Sequence, residues 1–172
     1  MDKDAADLHV ERWRDHWVLE KGFDDDIEAM TVRIGSIIRW FRAAEKTAVA
    51  TVGLQDFEYQ TLHALMIRET PGRASPGELA HELGVSNAGI SGRLDSMEKK
   101  GWLKREPGAE DRRRVEVEAT REGLRIWRAA MDLRGSAEDD VAQVLTKAEL
   151  VTLNALLKKM TTHIESARPT TD

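Results

Sequence analysis

The chain has 172 residues, of which 41% are hydrophobic, and it carries a net charge of −5 and no cysteine. This length and apolar content favour a folded core and argue against global disorder. The lack of cysteine excludes disulfides, thiol catalysis and cysteine-rich zinc sites, and the acidic balance confines any nucleic-acid surface to a local basic patch. The N-terminal stretch has no apolar signal core, and no stretch approaches about 18 apolar residues, which predicts a soluble protein of the cytoplasm.

The first block, residues 1–52, is predicted to hold two helices. A short extra helix is expected over about 8–20, where three apolar residues recur at helical spacing: Val10, Trp13 and Trp17. A long helix is predicted over about 25–51, with acidic residues placed to cap its N-terminus. Its apolar side chains alternate at spacings of three and four and should form one buried stripe: Ile27, Met30, Ile34, Ile37, Phe41, Ala44 and Ala48.

The middle block, residues 53–119, has a different pattern of short elements. It begins with a helix whose inward side chains should be Phe57, Leu62 and Leu65. After a loop, a short helix is ended by Gly84, and Ser86 is placed to cap the next helix. Two helices joined by a tight turn that contains glycine are typical of a helix-turn-helix.

The second helix of this pair, from Ser86 to about Lys99, is the candidate recognition helix. Its apolar side is formed by Ile90, Leu94 and Met97. Small residues dominate the other side, although glycine costs about 1 kcal/mol in a helix, and this is useful where a backbone must lie close to a major groove. The predicted DNA contacts of the two helices are Ser75, Ser86, Asn87, Ala88, Ser91, Gly92 and Asp95. The alternative is an ordinary amphipathic surface helix.

A two-stranded hairpin is predicted next, with its tip at about 107–112 and alternating valines at Val115 and Val117. A hairpin directly after a helix-turn-helix is a wing. Its arginines, Arg112, Arg113 and Arg114, suit phosphates and narrow minor grooves. Residues 88–114 hold eight basic and five acidic side chains, a local +3 in a chain of −5. This placement favours DNA contact over the alternative of a solvated basic loop.

The last block, residues 120–172, is predicted to be helical. Its first helix should present Leu124, Trp127 and Met131 on one face, and the stretch 134–139 is expected to loosen or bend it. A second stripe with alternating spacings of three and four follows: Leu150, Leu153, Leu157, Met160 and Ile164. Such a stripe needs a partner helix, from this chain or from a second copy. We therefore expect a mainly α fold with a small β-hairpin wing (α+β), assembled as a twofold dimer.

Residues 54–131 resemble the winged helix of the MarR family of bacterial transcription regulators. The family register LxxxGLxxRxxxxxDRR is matched by Met97, Gly101, Trp102, Arg105, Asp111, Arg112 and Arg113, with tryptophan in place of the usual aliphatic residue. The resemblance implies an obligate dimer in which the N- and C-terminal helices intertwine. It also implies a switch that responds to a small molecule or to oxidation. Because the chain has no cysteine, a switch based on thiol oxidation is excluded.

A narrower resemblance points to the urate-responsive, PecS-like group of this family. Trp17, Arg93 and Arg105 occupy the positions of its ligand residues, whereas Gln60 replaces an aspartate. The resemblance implies a small anionic or phenolic effector, and the neutral Gln60 favours phenolic carboxylates over urate. For Arg93 the alternatives are a structural ion pair with a neighbouring helix and a place on the DNA surface.

These observations predict a ligand-responsive repressor that binds a pseudo-palindromic operator of double-stranded DNA as a homodimer. A winged helix used only for protein contacts, without an operator, is the alternative. The five histidines lack metal-ligand spacing, and no catalytic constellation is present. We therefore expect no enzymatic activity, no cofactor and no metal.

Overall fold

A computed structural model describes residues 2–16, 22–68, 72–108 and 114–167. The described residues form seven helices and three short strands. The helices are α1 (Ala5–Trp13), α2 (Asp25–Thr51), α3 (Asp56–Met66), α4 (Pro76–Glu82), α5 (Asn87–Lys99), α6 (Arg121–Ala142) and α7 (Lys147–Ala167). The strands are β1 (Arg73–Ala74), β2 (Leu103–Pro107) and β3 (Val115–Ala119). The predicted fold class, mainly helical with a small wing, is confirmed. The chain divides into two compact units, Met1–Arg134 and Gly135–Asp172.

The wing is part of a three-stranded antiparallel sheet with the order β1–β3–β2. In the hairpin, Leu103 pairs with Ala119 and Pro107 pairs with Val115. β1 pairs with the other edge of β3 and was not predicted, because a strand of two residues leaves no alternation to recognise. This sheet and α3 to α5 enclose a core of fully buried side chains: Leu62, Leu65, Leu79, Ile90, Leu94, Met97, Leu103 and Val117. Phe57, predicted to point inward, is half-buried.

Short local signals define the helix-turn-helix. The Ser75 hydroxyl accepts the Glu78 N–H of α4, and the Glu78 carboxylate accepts the Ser75 N–H in return. Gly84 lies in the turn between the two helices with φ +62°, a conformation that other residues rarely adopt. The Ser86 hydroxyl then accepts the Gly89 N–H and caps α5. These caps fix the start of both helices.

A tight joint, formed by Gly101, Trp102, Thr120 and Gly123, connects the wing with α6. The Thr120 hydroxyl donates to the Gly101 carbonyl at 2.7 Å and accepts the Gly123 N–H at 3.0 Å. The Thr120 N–H donates to the Trp102 carbonyl at 3.0 Å. A Cβ at position 123 would lie 1.9 Å from that carbonyl oxygen, so only glycine allows this approach.

Ion pairs hold α1 against α2. Arg33 of α2 contacts Asp4, the N-cap of α1, and Asp7 in its first turn. The hydrogen bond from Arg33 is the main cause that lowers the pKa of Asp4 to about 2. The α1 helix begins and ends earlier than predicted, because Asp4 caps it at Ala5 and the helix ends at Trp13. Trp17 lies outside the described residues.

The predicted stripe of α2 is only partly buried within one chain. Ile27, Met30 and Ile37 are 62%, 37% and 46% exposed. Ile34, Phe41 and Ala44 are half-buried, and Ala48 is buried. The described residues of one chain therefore cover only part of the stripe, and its burial against a partner stays a prediction. The helical spacing of these side chains is as predicted.

The C-terminal region consists of two long helices. α6 continues from Arg121 to Ala142, so the stretch 134–139 does not end the helix, and the expected bend there stays a prediction. Only Gly135 in that stretch is a strong helix breaker, and one glycine costs about 1 kcal/mol. In α7 none of the residues is buried, and Leu153, Leu157 and Ile164 of the predicted stripe are 40%, 37% and 53% exposed.

Candidate nucleic-acid interface

The outer face of α5 is exposed and lined by small side chains. Helical geometry directs Ala88, Gly92 and Asp95 away from the buried side of the helix, and all three are exposed. A Cβ added to Gly92 would meet no atom within 4 Å, so the space above this glycine is open. Ser91 and Asn87 are exposed as well. This face can approach another surface closely along most of the helix.

Lys99 extends this outer face at its C-terminal end and was missed by the sequence prediction. It is exposed, and it takes part in none of the ion pairs found among the described residues. Its position at i+7 from Gly92 gives it the same direction on the helix. The small residues of this face form a recognisable pattern in the sequence, whereas a lysine near a helix end is common and gives no specific signal.

The other predicted DNA contacts lie at the start of α4, at the start of α5 and in the wing. Ser75 and Ser86 are the N-caps of α4 and α5, so their hydroxyls already accept backbone N–H groups. The hydrogen bonds from Ser75 lower the pKa of Glu78, and Arg114 adds to this effect. Arg114 is exposed at the start of the wing's return strand. Arg112 and Arg113 lie outside the described residues.

Several basic side chains that raise the local charge are already paired. Lys100 forms an ion pair at 2.6 Å with Glu58 of α3, whose side chain is fully buried. Lys104 pairs with Glu106 at 2.6 Å and with Glu118 at 3.3 Å. Both lysines thus have carboxylate partners already, whereas Lys99 has none among the described residues.

Arg105 is held by one stripe of the recognition helix. Its guanidinium donates to Asp95 at 2.6 Å, to Glu98 at 3.1 Å and to the Ser91 carbonyl at 3.3 Å. Its backbone N–H donates to the other oxygen of Glu98 at 3.2 Å. We call these four residues the Arg105 clasp. Sequence patterns do not reveal it, because its members are far apart along the chain.

Arg93 lies on the other flank of α5. It is two positions from both Ser91 and Asp95, which places it about 160° from each around the helix. Its guanidinium carbon lies 5.6 Å from the centre of the Phe57 ring. Arg93 and Arg105 are thus not brought together on one flank. Within the described part of the chain, no carboxylate forms the ion pair that was the structural alternative for Arg93.

Gln60 is half-buried on α3, one turn after Phe57. It therefore shares a helix face with the ring that supports Arg93. The ligand-binding assignment of Trp17, Gln60, Arg93 and Arg105 stays a prediction, with Arg93 and Gln60 on neighbouring elements and Arg105 on the far flank of α5.

The winged lobe matches a known family of proteins. The MarR family model matches residues 52–114, which span α3 to the wing. The chain is 30% identical over 163 residues to the HTH-type transcriptional regulator PecS of Dickeya dadantii, covering 92% of this chain and 94% of that protein. The chain belongs to the MarR family. It is thus a member of a family of DNA-binding transcription regulators.

Other MarR-family proteins match over smaller parts of the chain. The multiple antibiotic resistance protein MarR of Escherichia coli is 34% identical over 87 residues, half of this chain and 60% of that protein. The YusO protein from Bacillus subtilis has a similar structure, with a TM-score of 0.70 and 17% identity over 83% of this chain and 99% of that one.

A DNA-bound structure is also similar in fold. A mutant of S. aureus MepR bound to an oligodeoxyribonucleotide has a TM-score of 0.63 and 19% identity, covering 78% of this chain and 97% of that one. At this identity the likeness supports the MarR fold alone. Among the described residues, no helix is both long and apolar enough to cross a membrane.

Proposed function

We propose that this chain is a ligand-responsive repressor of the cytoplasm that binds a pseudo-palindromic operator as a homodimer. The observation that carries the proposal is the exposed face of α5, with the small residues Ala88 and Gly92 beside a wing that bears arginines. A face without large side chains lets the helix backbone enter a major groove. The wing arginines would contact phosphates or the adjacent minor groove.

Dimerisation is supported by the exposed apolar stripes of α2 and α7. Large apolar side chains exposed in a row are typical of an interface, and a second copy offers the same stripes for mutual burial. Two α5 helices related by a twofold axis would then enter successive major grooves, about 34 Å apart. A selection of bound fragments from genomic DNA should therefore enrich an inverted repeat, whereas a protein adaptor would enrich no motif.

The wing is tested by removing its charge. The double variant Arg112→Ala and Arg113→Ala should weaken binding to operator and random duplexes alike. It should also reduce the slope of log K against log salt by about 0.9 for each phosphate that is no longer neutralised. The matched control removes two exposed arginines of α6, Arg121 and Arg128, and should leave the slope unchanged. An unchanged slope in the wing variant would contradict the proposed role of these arginines.

The effector site is proposed near Arg93. Its guanidinium lies over Phe57, one helical turn from Gln60, and has no carboxylate partner among the described residues. It therefore offers a cation to an anionic aromatic ligand. Salicylate and urate serve as probes, and release of operator should be stronger with salicylate. Arg93→Ala should abolish release of the operator by the ligand and keep operator affinity within about threefold. A ligand releases DNA only if it binds the DNA-free conformation more tightly, and this variant would lose that binding. Loss of operator binding with the response retained would place Arg93 on the DNA surface instead.

A further inference from the structure

The Arg105 clasp joins the wing to the recognition helix at the face that is proposed to meet DNA. Arg105 is the third residue of β2, and its side chain is only 26% exposed. Ser91, Asp95 and Glu98 follow one another at i, i+4 and i+7 and so form a stripe along α5. Asp95 and Glu98 remain 53% and 40% exposed beside their arginine.

The two carboxylates present a problem for a DNA-binding helix. Asp95 belongs to the outer face of α5, and Glu98 lies at its margin, so both would come close to phosphates if α5 enters a groove. Like charges brought together are strongly unfavourable unless a counter-charge is fixed between them. The Arg105 guanidinium supplies that charge to both, through N–O distances of 2.6 and 3.1 Å.

We propose that Arg105 is a positioning residue for DNA binding, which neutralises Asp95 and Glu98 and fixes β2 against α5 without itself contacting DNA or the effector. The inference deepens the proposed DNA-binding function and rests on it. Three features of Arg105 support this role. Its side chain is mostly buried, its charge is already compensated, and its backbone N–H is held by Glu98 as well. A guanidinium suits this role because its fork binds two acceptors in fixed geometry.

A double-mutant cycle tests this role on the full-length chain, with a fluorescently labelled duplex of random sequence as the probe. Arg105→Ala should weaken binding by at least about tenfold, because two uncompensated carboxylates on each protomer then face the duplex. In a chain that also carries Asp95→Asn and Glu98→Gln, the same change should cost less than about threefold. An equal loss in both backgrounds would assign Arg105 to direct DNA contact and overturn the proposal.

The salt dependence provides a second measurement. In the neutralised background, Arg105→Ala should leave the slope of log K against log salt unchanged. If Arg105 bound phosphate directly, the change would instead lower the magnitude of the slope by about 0.9 for each phosphate. A purely structural effect on folding would not reproduce this pattern, since it changes the active fraction and leaves the slope as it is.

The Asp95→Asn and Glu98→Gln double variant keeps the proposal testable should Arg105→Ala fail to fold. With Arg105 intact, it should bind the random duplex more tightly than the parent chain, because two negative charges are gone. Weaker binding would show that the carboxylates themselves contribute to DNA contact and would overturn the neutralising role. If the parent chain binds no duplex at all, both the proposed function and this inference are wrong. Parent binding with equal losses in both backgrounds overturns this inference alone.

Discussion

The winged helix, α3 to β3, buries its apolar residues within one chain, whereas the long flanking helices α2 and α7 leave many of theirs exposed. In the lobe, Leu62, Leu94 and Met97 are fully buried by elements of the same chain. In α2 and α7, apolar residues with equally regular spacing remain exposed, as Ile37 and Leu157 illustrate. Regular spacing therefore identifies an apolar face but does not say which surface covers it. The apolar face of the winged helix is covered within one chain, whereas the stripes are the surface that we propose a second copy covers.

The largest effect should come from breaking the proposed partner surface. Leu157→Asp in α7 should weaken the homodimer by about 4 kcal/mol, roughly 1000-fold in Kd, because the change occurs once in each copy. Ala155 lies on the opposite side of α7, so Ala155→Asp is the matched control and should leave the dimer intact. Light scattering over a dilution series measures both. A dimer that tolerates Leu157→Asp would show that the α7 stripe faces something else.

The joint between the wing and α6 should be the most sensitive point of the lobe itself. Gly123→Ala places a Cβ 1.9 Å from the Trp102 carbonyl oxygen, and we expect a loss of about 3 kcal/mol in the free energy of unfolding. Gly135 of the same helix has no atom within 4 Å of such a Cβ. Gly135→Ala should therefore stabilise the chain by up to about 1 kcal/mol. Urea unfolding compares the two, and equal midpoints would contradict the close approach.

A smaller loss is expected at the buried ion pair of the lobe. Lys100→Met leaves the Glu58 carboxylate buried without its cation. Because the lysine is 40% exposed, we expect about 2 kcal/mol, less than for a fully buried pair. Its neighbour Lys99 has no such partner among the described residues, so Lys99→Met should keep the unfolding midpoint and weaken DNA binding instead. The two variants are compared by thermal unfolding and by duplex binding. If they change Tm equally and DNA affinity equally, the different roles assigned to Lys100 and Lys99 are wrong.

The smallest effect is a pH dependence at His63, between α3 and α6. Burial lowers the pKa of His63, and Arg134 lowers it further, whereas Glu45 and Glu82 act in the opposite direction. Trp127 donates its indole N–H to Nδ1 of the neutral ring at 3.4 Å. A lowered pKa means that this group stabilises the fold above about pH 6.5 and that the stabilisation is lost as the pH falls.

His63→Gln should therefore reduce the decrease in Tm between about pH 7.5 and pH 5.5. His81 of α4 is exposed, and His81→Gln serves as the control that keeps the parent's pH profile. A parent profile that is flat over this range would exclude the predicted contribution of His63.

Local signals explain why so much of the fold could be predicted. Caps such as Asp24 and Ser86, the turn at Gly84 and the valines of the wing each act within a few residues. The elements they define lie close to where the sequence predicted them. Errors arose where the decisive contact is distant or weak, as with β1, whose two residues form a strand only because β3 is already in place.

The candidate site was predicted less well than the fold. The small outer face of α5 follows from helical periodicity, and it is exposed as expected. The pairing of charges does not follow from periodicity, because Arg105 meets Asp95 and Glu98 only after the hairpin has folded back along α5. Family resemblance assigned Arg93 and Arg105 to one ligand, yet helix geometry places them on opposite flanks.

The joint at Gly101, Trp102, Thr120 and Gly123 has a mechanical consequence. α5 ends and α6 begins at the same point, where the Thr120 hydroxyl bridges two backbones and Gly123 leaves no free space. Closely packed contacts of this kind transmit displacement instead of absorbing it. We therefore expect a rotation of the first turn of α6 to move the end of α5, so that a displacement of the long helix would change the angle at which α5 is presented.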